Sequence, residues 1–205
     1  MLKIAVSGKM AAGKTTLTNL IQQHHELQQP ITSDGYFNGA FTTSERLSVA
    51  APVKEVAKNY FLMPEDYKDR PLLQQIGQKF REIRPSVWID LMVHKSRTLT
   101  QQYKSNKTEG CLVCDDVRFP NEVDALKADG WFVIRLDTDE NERFKRITNT
   151  YTNAEIHWSN RNEISETALD NYEGNWDLVL SNPSIEDLKS EISEFYARLS
   201  HSPQA

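Results

Sequence analysis

The chain has 205 residues, with 24 Lys+Arg against 29 Asp+Glu for a formal charge of −5, 39% hydrophobic and 26% charged residues. That is ordinary globular composition, and the length suits one domain able to bury about 70% of its unfolded surface without a disulfide or metal staple. An acidic chain with no long Lys/Arg run is poorly suited to the nucleic-acid backbone, no stretch approaches the ~18 apolar residues of a membrane span, and the first apolar run is too short for a signal peptide, so a soluble, cytoplasmic domain is expected.

In chain order, the β-branched run Leu2–Ser7 predicts a first strand and Gly13–His25 a helix. Between them Gly8-Lys9-Met10-Ala11-Ala12-Gly13-Lys14-Thr15 matches G-x-x-x-x-G-K-[ST] in full, in the strand-to-helix context where this loop cradles phosphates. Gly8 and Gly13 allow a sharp turn that points consecutive N–H groups, those of Ala11 and Ala12 among them, at phosphate oxygens. The helix N-terminus adds free donors and its dipole. Lys14 brings a point charge to the β- and γ-phosphates, the Thr15 hydroxyl suits Mg²⁺, and Thr16 is within reach of the α-phosphate. A nucleoside triphosphate is the expected ligand.

The polar stretch Ser33–Ser44 reads as a loop, Leu47–Ala51 as a second strand, and Val53–Phe61, Leu72–Arg81 and Val87–Tyr103 as helices. The next strand, Cys111–Asp115, holds the only two cysteines, as C-x₂-C. A tetrahedral zinc site wants four ligands, and no second pair or H-x₃₋₅-H group completes one. Cys111 and Cys114 would also face opposite sides of a strand, so both read as packing residues. This strand ends in Asp115 and Asp116. An Asp beyond the carboxyl end of a parallel strand can hold Mg²⁺ or its water shell. The generic pattern selects Asp115, the first acid after four apolar positions, with the other Asp left to cap a helix. Arg118 is positioned to meet a second phosphate bidentately, with a surface salt bridge as the alternative. Glu122 either anchors Arg118 or opens the next helix favourably, and Pro120 marks that helix start.

Helix Asn121–Asp129, strand Trp131–Leu136 and helix Glu140–Thr148 follow. Arg143 and Arg146 lie three apart on one helix face, and Arg161 ends the irregular polar segment Thr150–Asn162, which is either a lid or a surface loop. Strand Asp177–Leu180 and helix Ile185–Leu199 close the chain. In that helix Ile185, Leu188, Ile192, Phe195 and Leu199 form an apolar face, behind a capping box of Ser184 and Asp187. Trp131 and Trp176 read as core; Trp88 and Trp158 suit either packing or a site. Alternating β and α segments predict an α/β fold, a parallel sheet covered on both faces with right-handed crossovers.

Several ordered motifs resemble the deoxynucleoside monophosphate kinases of bacteriophages and some bacteria, a family of P-loop kinases. Asp116-Val-Arg-Phe-Pro-Asn-Glu122 resembles the family's D-V-R-F-x-x-E signature. Ala51-Pro-Val-Lys54 is similar to its A-x-P-[LV]-K segment, and Leu72-Leu-Gln-Gln-Ile-Gly77, with Arg81 and Trp88 beyond, to its L-L-Q-x-x-G…R…W block. Ile164-Ser-Glu-Thr-Ala-Leu-Asp170 and Asp177-Leu-Val-Leu-Ser-Asn182 resemble its closing S-E…D and D-x-x-x-x-N elements. Gln78 stands where the family usually carries Thr.

The resemblance implies a three-layer P-loop kinase fold with a five-stranded parallel sheet. It implies a single domain over 1–205, an acceptor-binding helical region at about 52–105 and a lid at about 139–165. It further implies transfer of the ATP γ-phosphate to a deoxynucleoside 5′-monophosphate with Mg²⁺, in a monomer or homodimer. Gly13, Lys14 and Thr15 would serve ATP. Asp116, favoured by the family over Asp115, would assist metal or acceptor. Arg118 would bind the acceptor phosphate, and Glu122 would orient it. Lys54 would belong to the acceptor site, which Arg81 and Trp88 would line, Trp88 by stacking or packing. Asn182 would begin a loop near the adenine. One or more of Arg143, Arg146 and Arg161 would act from the lid. Two alternatives stand beside this reading: another small-molecule P-loop kinase, acting on phosphomevalonate or dephospho-coenzyme A, and a nucleotide-dependent switch ATPase, which has no need of a second anion pocket at Arg81, Trp88 and Arg118.

Overall fold

The computed structural model describes residues 1–27, 42–67, 69–174 and 176–201. Five strands, β1 (Leu2–Gly8), β2 (Thr42–Leu47), β3 (Glu109–Val117), β4 (Phe132–Asp137) and β5 (Leu178–Ser181), form one sheet in the order β2-β3-β1-β4-β5. Every pairing is parallel, with Ile4 opposite Val113 on one side and Phe132 on the other. The chain leaves β1 for the far edge, returns through β3, and then crosses β1 to reach β4. The strand order therefore reverses beside β1, and the crevice at such a reversal is where open α/β sheets bind ligands.

Both faces of the sheet are covered, which is why the central strands read as continuous apolar runs. Alternation along β1 sends Ile4 and Val6 to one face and Ala5 to the other. On the first face Ile4, Val6 and Val113 pack against Leu17 and Ile21 of α1 (Lys14–Leu27), and Leu188 and Ile192 of the last helix complete that layer. On the second face Ala5, Leu112 and Val133 pack against four further helices: α2 (Ala51–Phe61), α3 (Arg70–Ile83), α4 (Val87–Ser105) and α5 (Pro120–Ala128). Cys111 and Cys114 lie on opposite faces, fully buried, and burial pushes the Cys111 thiol up to about 12 and Cys114 well above its ordinary value. They are packing residues.

After β4 come α6 (Glu140–Thr150), α7 (Ala154–Ser159), a 3₁₀ turn (Asn160–Asn162) and the short α8 (Ile164–Thr167), and α9 (Ile185–His201) follows β5. The expected capping box opens α9: Ser184 Oγ accepts from Asp187 N at 3.1 Å, and Asp187 Oδ2 accepts from Ser184 N at 2.9 Å. Leu199, expected on its apolar face, has a side chain outside the description.

Two segments differ from expectation. The second strand is Thr42–Leu47, not Leu47–Ala51, so the predicted loop Ser33–Ser44 ends in strand; its residues 33–41 lie outside the described residues. As an edge strand β2 pairs only with β3, and a polar run suffices there. Val49 is buried in a turn, and Ala51-Pro52 already opens α2. The polar segment Thr150–Asn162 is mostly helical. Its anchor is Trp158, whose ring lies 5.1 Å from the Phe144 ring and takes the Arg143 and Arg161 guanidiniums at 5.4 Å each. Among the described residues no helix is long and apolar enough to cross a membrane.

Candidate active site

The phosphate loop begins where β1 ends. A Cβ on Gly8 would stand 2.7 Å from Leu136 O, so only glycine lets the loop leave beside β4, and Gly13 holds φ at +102°. Ala11, also left-handed at φ 61°, and the Ala12 N–H to Lys9 O bond of 3.1 Å complete the turn. The loop runs straight into α1, whose first N–H groups have no intrahelical partners. Lys14 is buried and curls back over the loop, donating to Gly8 O and Lys9 O at 2.8 Å each. Burial, then the nearby Arg118 charge, lowers its pKa from 10.5 to about 7, opposed by Glu166, Asp115 and Asp116.

A cavity of about 440 Å³ opens beside this loop, walled by residues from Met10 to Thr16 on one side and by Arg146, Tyr151, Pro183 and Ile185 on the other. Its wall has the charges and amides a polyphosphate needs and an apolar end suited to a base. Arg146 Nη1 lies 3.3 and 3.2 Å from Ala11 O and Ala12 O, and Glu142 holds its Nε at 3.2 Å. Arg143 does not join it. Three helical residues place two side chains about 60° apart around the axis, and Arg143 turns inward, buried, with Nε on Thr138 O at 3.1 Å and its guanidinium over Trp158. It braces the segment rather than facing the cavity. Asn182 likewise is a brace: at φ 48° its N–H donates to Asp137 O at 2.7 Å, and its amide meets Asp139 N at 2.8 Å and Asp139 Oδ2 at 2.9 Å. The residues after it reach the cavity instead.

β3 carries a bulge at the two acids. Ala5 pairs with Cys114 and Ser7 with Val117, so β3 spends one extra residue across Asp115-Asp116 and re-aims both side chains. Asp115 Oδ2 accepts from Thr15 Oγ1 at 2.8 Å and from Arg46 at 3.3 Å. Asp116 is instead filled by the β2–α2 turn, accepting from Ser48 Oγ at 2.6 Å and from Val49 N and Ala50 N at 3.0 Å each. The two acids of the pair are thus set on different partners. Asp115 stands at the phosphate loop, and Asp116, the residue favoured by the family motif, holds the turn into α2.

Arg118 lies just beyond. Its Nη1 reaches Glu166 Oε1 at 2.6 Å and Gly8 O at 3.4 Å, which sets the guanidinium against the phosphate loop. Glu122 is the third residue of α5, with Pro120 at its start, and acts as half of a capping box. Buried at 2% exposure, it takes the Arg118 N–H at 2.7 Å and the Phe119 N–H at 3.1 Å on one oxygen and Arg81 Nη2 at 3.2 Å on the other. Burial pushes its pKa up, against the pull of those N–H groups and the Arg81 charge. Glu122 thus fixes the Arg118 backbone and the Arg81 guanidinium, which lies 4.3 Å over the Phe119 ring. Trp88 does not present a face for a base. It is 2% exposed, stacked on Phe80 at 5.1 Å, and donates Nε1–H to Gly77 O at 3.0 Å. Lys54 is exposed on α2. Residues not assigned to the site from the sequence also reach it. Tyr151, Pro183 and Ile185 wall the cavity, and Glu166 and Asp170 contact Arg118, Met10 N and Lys9. The S-E…D segment was the only signal that pointed to the last two.

A parallel sheet with β1 central, a complete phosphate loop at its carboxyl end and a helical layer over the acidic strand define the P-loop kinase fold. No protein-family model matches the chain. It is similar, at 24% identity over 160 residues, to a protein of Acanthamoeba polyphaga mimivirus named "Putative deoxynucleotide monophosphate kinase", covering 67% of this chain and 74% of that one. Among solved structures it is similar in fold to a "putative kinase" from Chloroflexus aurantiacus, with a TM-score of 0.54 and 16% identity over 97% of this chain and 96% of that one. It is also similar to a sugar kinase from Janibacter, with a TM-score of 0.52 and 14% identity over 99% and 96% of the two chains. The chain therefore resembles a deoxynucleotide monophosphate kinase in sequence and the P-loop kinases in fold.

Proposed function

We propose that this chain transfers the γ-phosphate of ATP to the 5′-phosphate of a deoxynucleoside monophosphate. The observation that carries the reading is a second cation site beside the first: Arg118 set against Gly8, and Arg81 pinned by the buried Glu122. A phosphate loop alone serves any nucleotide. Two anchored arginines linked through Glu122, which takes the Arg118 backbone N–H and the Arg81 guanidinium, suit a second anion, and the likeness to the mimivirus protein points to which one.

Phosphoryl transfer demands positioning and charge neutralisation rather than covalent help. In this reading the triphosphate lies on the loop N–H groups, its base toward Tyr151, Pro183 and Ile185. Lys14 exchanges its two carbonyl partners for phosphate oxygens, and Arg146, already on the loop, adds charge from the α6 side. Arg118 and Arg81 draw the acceptor phosphate into line against the repulsion of two anions. Thr15 and Asp115 fit Mg²⁺, since a hydroxyl and a carboxylate 2.8 Å apart supply hard oxygen donors, and this ion is usually held by one or two carboxylates plus substrate phosphates. When bound there, the ion would neutralise charge on the transferring phosphates. The working unit is a single domain, with the acceptor region in about 52–105 and a lid in about 139–165 that sheds water when it closes.

The test is ADP release from ATP·Mg²⁺ over a panel of acceptors: the four deoxynucleoside monophosphates, their ribose forms, phosphomevalonate, dephospho-coenzyme A and simple sugars. Stimulation by deoxynucleotides is expected. Stimulation by another acceptor alone keeps the kinase and replaces the substrate, and slow hydrolysis indifferent to every acceptor favours a switch ATPase.

A further inference from the structure

We propose that Glu166 is a positioning residue for phosphoryl transfer, tying one end of the Arg118 guanidinium to the phosphate loop so that the opposite edge is presented to the acceptor phosphate. The proposal rests on the reading of Arg118 as the acceptor-phosphate residue. Glu166 stands in α8, its side chain only 10% exposed. One carboxylate oxygen takes Arg118 Nη1 and the other takes the Met10 N–H of the phosphate loop, each at 2.6 Å. One side chain thus bridges the loop that grips ATP and the arginine beside it. Asp170 repeats the attachment four residues on, pairing with Lys9 at 2.8 Å, so the segment is fastened to the loop at consecutive positions.

The rest of Arg118 is built for a ligand. Its backbone N–H is held by Glu122 at 2.7 Å, and its Nη1 is spent on Glu166 and Gly8 O. Among the described residues, Nε and Nη2 have no hydrogen-bond partner. These two form the side-on edge of the guanidinium, whose parallel N–H groups match two oxygens of a phosphate monoester. A long, unfastened arginine samples many rotamers, and ordering it costs entropy at each encounter. Glu166 removes that cost in advance and sets the distance from Arg118 to the γ-phosphate, because the same carboxylate reads the position of the loop. Lysine in place of Arg118 could not meet Glu166 and a phosphate in fixed directions at once.

The experiment compares wild type, Glu166→Gln, Arg118→Ala and the double variant by acceptor-dependent ADP release with the best deoxynucleotide, alongside the ATP Kd by calorimetry. Glu166→Gln is expected to lower kcat about 10- to 100-fold, the scale of a small misplacement of a catalytic group, while the ATP Kd moves less than about threefold. In the Arg118→Ala background the same change is expected to cost less than about twofold, since a residue acting through Arg118 has nothing left to position. An unchanged kcat, losses that multiply, or an acceptor KM that falls with kcat preserved, the sign of a carboxylate that merely competes with phosphate, each overturns the proposal. Should Glu166→Gln fail to fold, Arg118→Lys decides: a loss comparable to Arg118→Ala supports the fixed edge, and retention of most activity overturns it. Wild type that releases no ADP in response to any acceptor removes the underlying reading, and this proposal with it.

Discussion

Lys14 answers two opposed demands. It must carry charge to meet a triphosphate, yet burial and Arg118 bring its pKa from 10.5 to about 7. In the nucleotide-free protein the unfolded chain keeps this proton up to 10.5 while the folded chain releases it near 7. The unfolded state then binds more protons across that window, so Lys14 makes stability rise as pH climbs through it. Urea denaturation at about pH 7 and about pH 9 should show this rise in wild type and its loss in Lys14→Met. Phosphates favour the charged form, so ATP binding should take up protons above pH 7 and weaken as pH increases, which calorimetry in buffers of different ionisation enthalpy measures directly. Lys14→Met is expected to lower kcat by about 10²–10³-fold, the range for losing one electrostatic contact to the reacting group, without lowering the melting temperature. The two neighbouring acids should separate. Asp115→Asn is expected to raise the Mg²⁺ concentration needed for activity and leave stability nearly unchanged. Asp116→Ala removes the acceptor for two backbone N–H groups and Ser48, and is expected to cost about 2–3 kcal/mol in denaturation.

At the scale of elements, Trp88 shows how packing and recognition are told apart. Its position beyond the Arg81 block suits a base-stacking role equally well in sequence, but the ring is buried and stacked on Phe80, with its N–H spent on Gly77. Trp88→Ala should therefore destabilise the protein by about 3–5 kcal/mol in a denaturant titration, as large aromatic truncations do. A base-stacking residue would instead raise only the acceptor KM. The phosphate loop, both central strands beside it and the capped α9 were legible because each has a local cause: a glycine pattern, a continuous apolar run, a Ser184–Asp187 box. β2 was not, since an edge strand needs hydrogen-bonding partners more than apolar side chains, and its Thr42–Arg46 run carries the signature of a loop. The bulge in β3 was equally hidden, because it is a relation between β1 and β3 rather than a property of either. That relation assigns Asp115 and Asp116 to different tasks. Arg143 and Arg146 illustrate the same limit on a helix, where equal spacing on one face concealed that one turns into the fold and the other onto the loop.

Over the whole molecule, the order β2-β3-β1-β4-β5 brings together residues far apart in the chain. The loop after β1, the acids at the end of β3 and Arg118 just beyond it, Arg146 after β4 and Pro183 after β5 all gather at the carboxyl ends of the strands. Composition and βα alternation made the class of fold readable, and the D-V-R-F-x-x-E motif singled out Arg118 and Glu122, on which the proposed acceptor site is built. The attachments of Glu166 and Asp170 to the loop were not, because they span more than 150 residues and rest on tertiary placement alone. Since the cavity lies between the loop and the segment after β4, ATP should slow amide exchange in α6 and the Met10–Thr16 loop together, measured by hydrogen exchange with and without nucleotide. The most direct measurement of the central claim is the fate of labelled γ-phosphate. With γ-labelled ATP, Mg²⁺ and a mixture of deoxynucleoside monophosphates, the label should appear in the β-position of a deoxynucleoside diphosphate in step with ADP. Label found only as inorganic phosphate, at a rate indifferent to every monophosphate, would contradict the account.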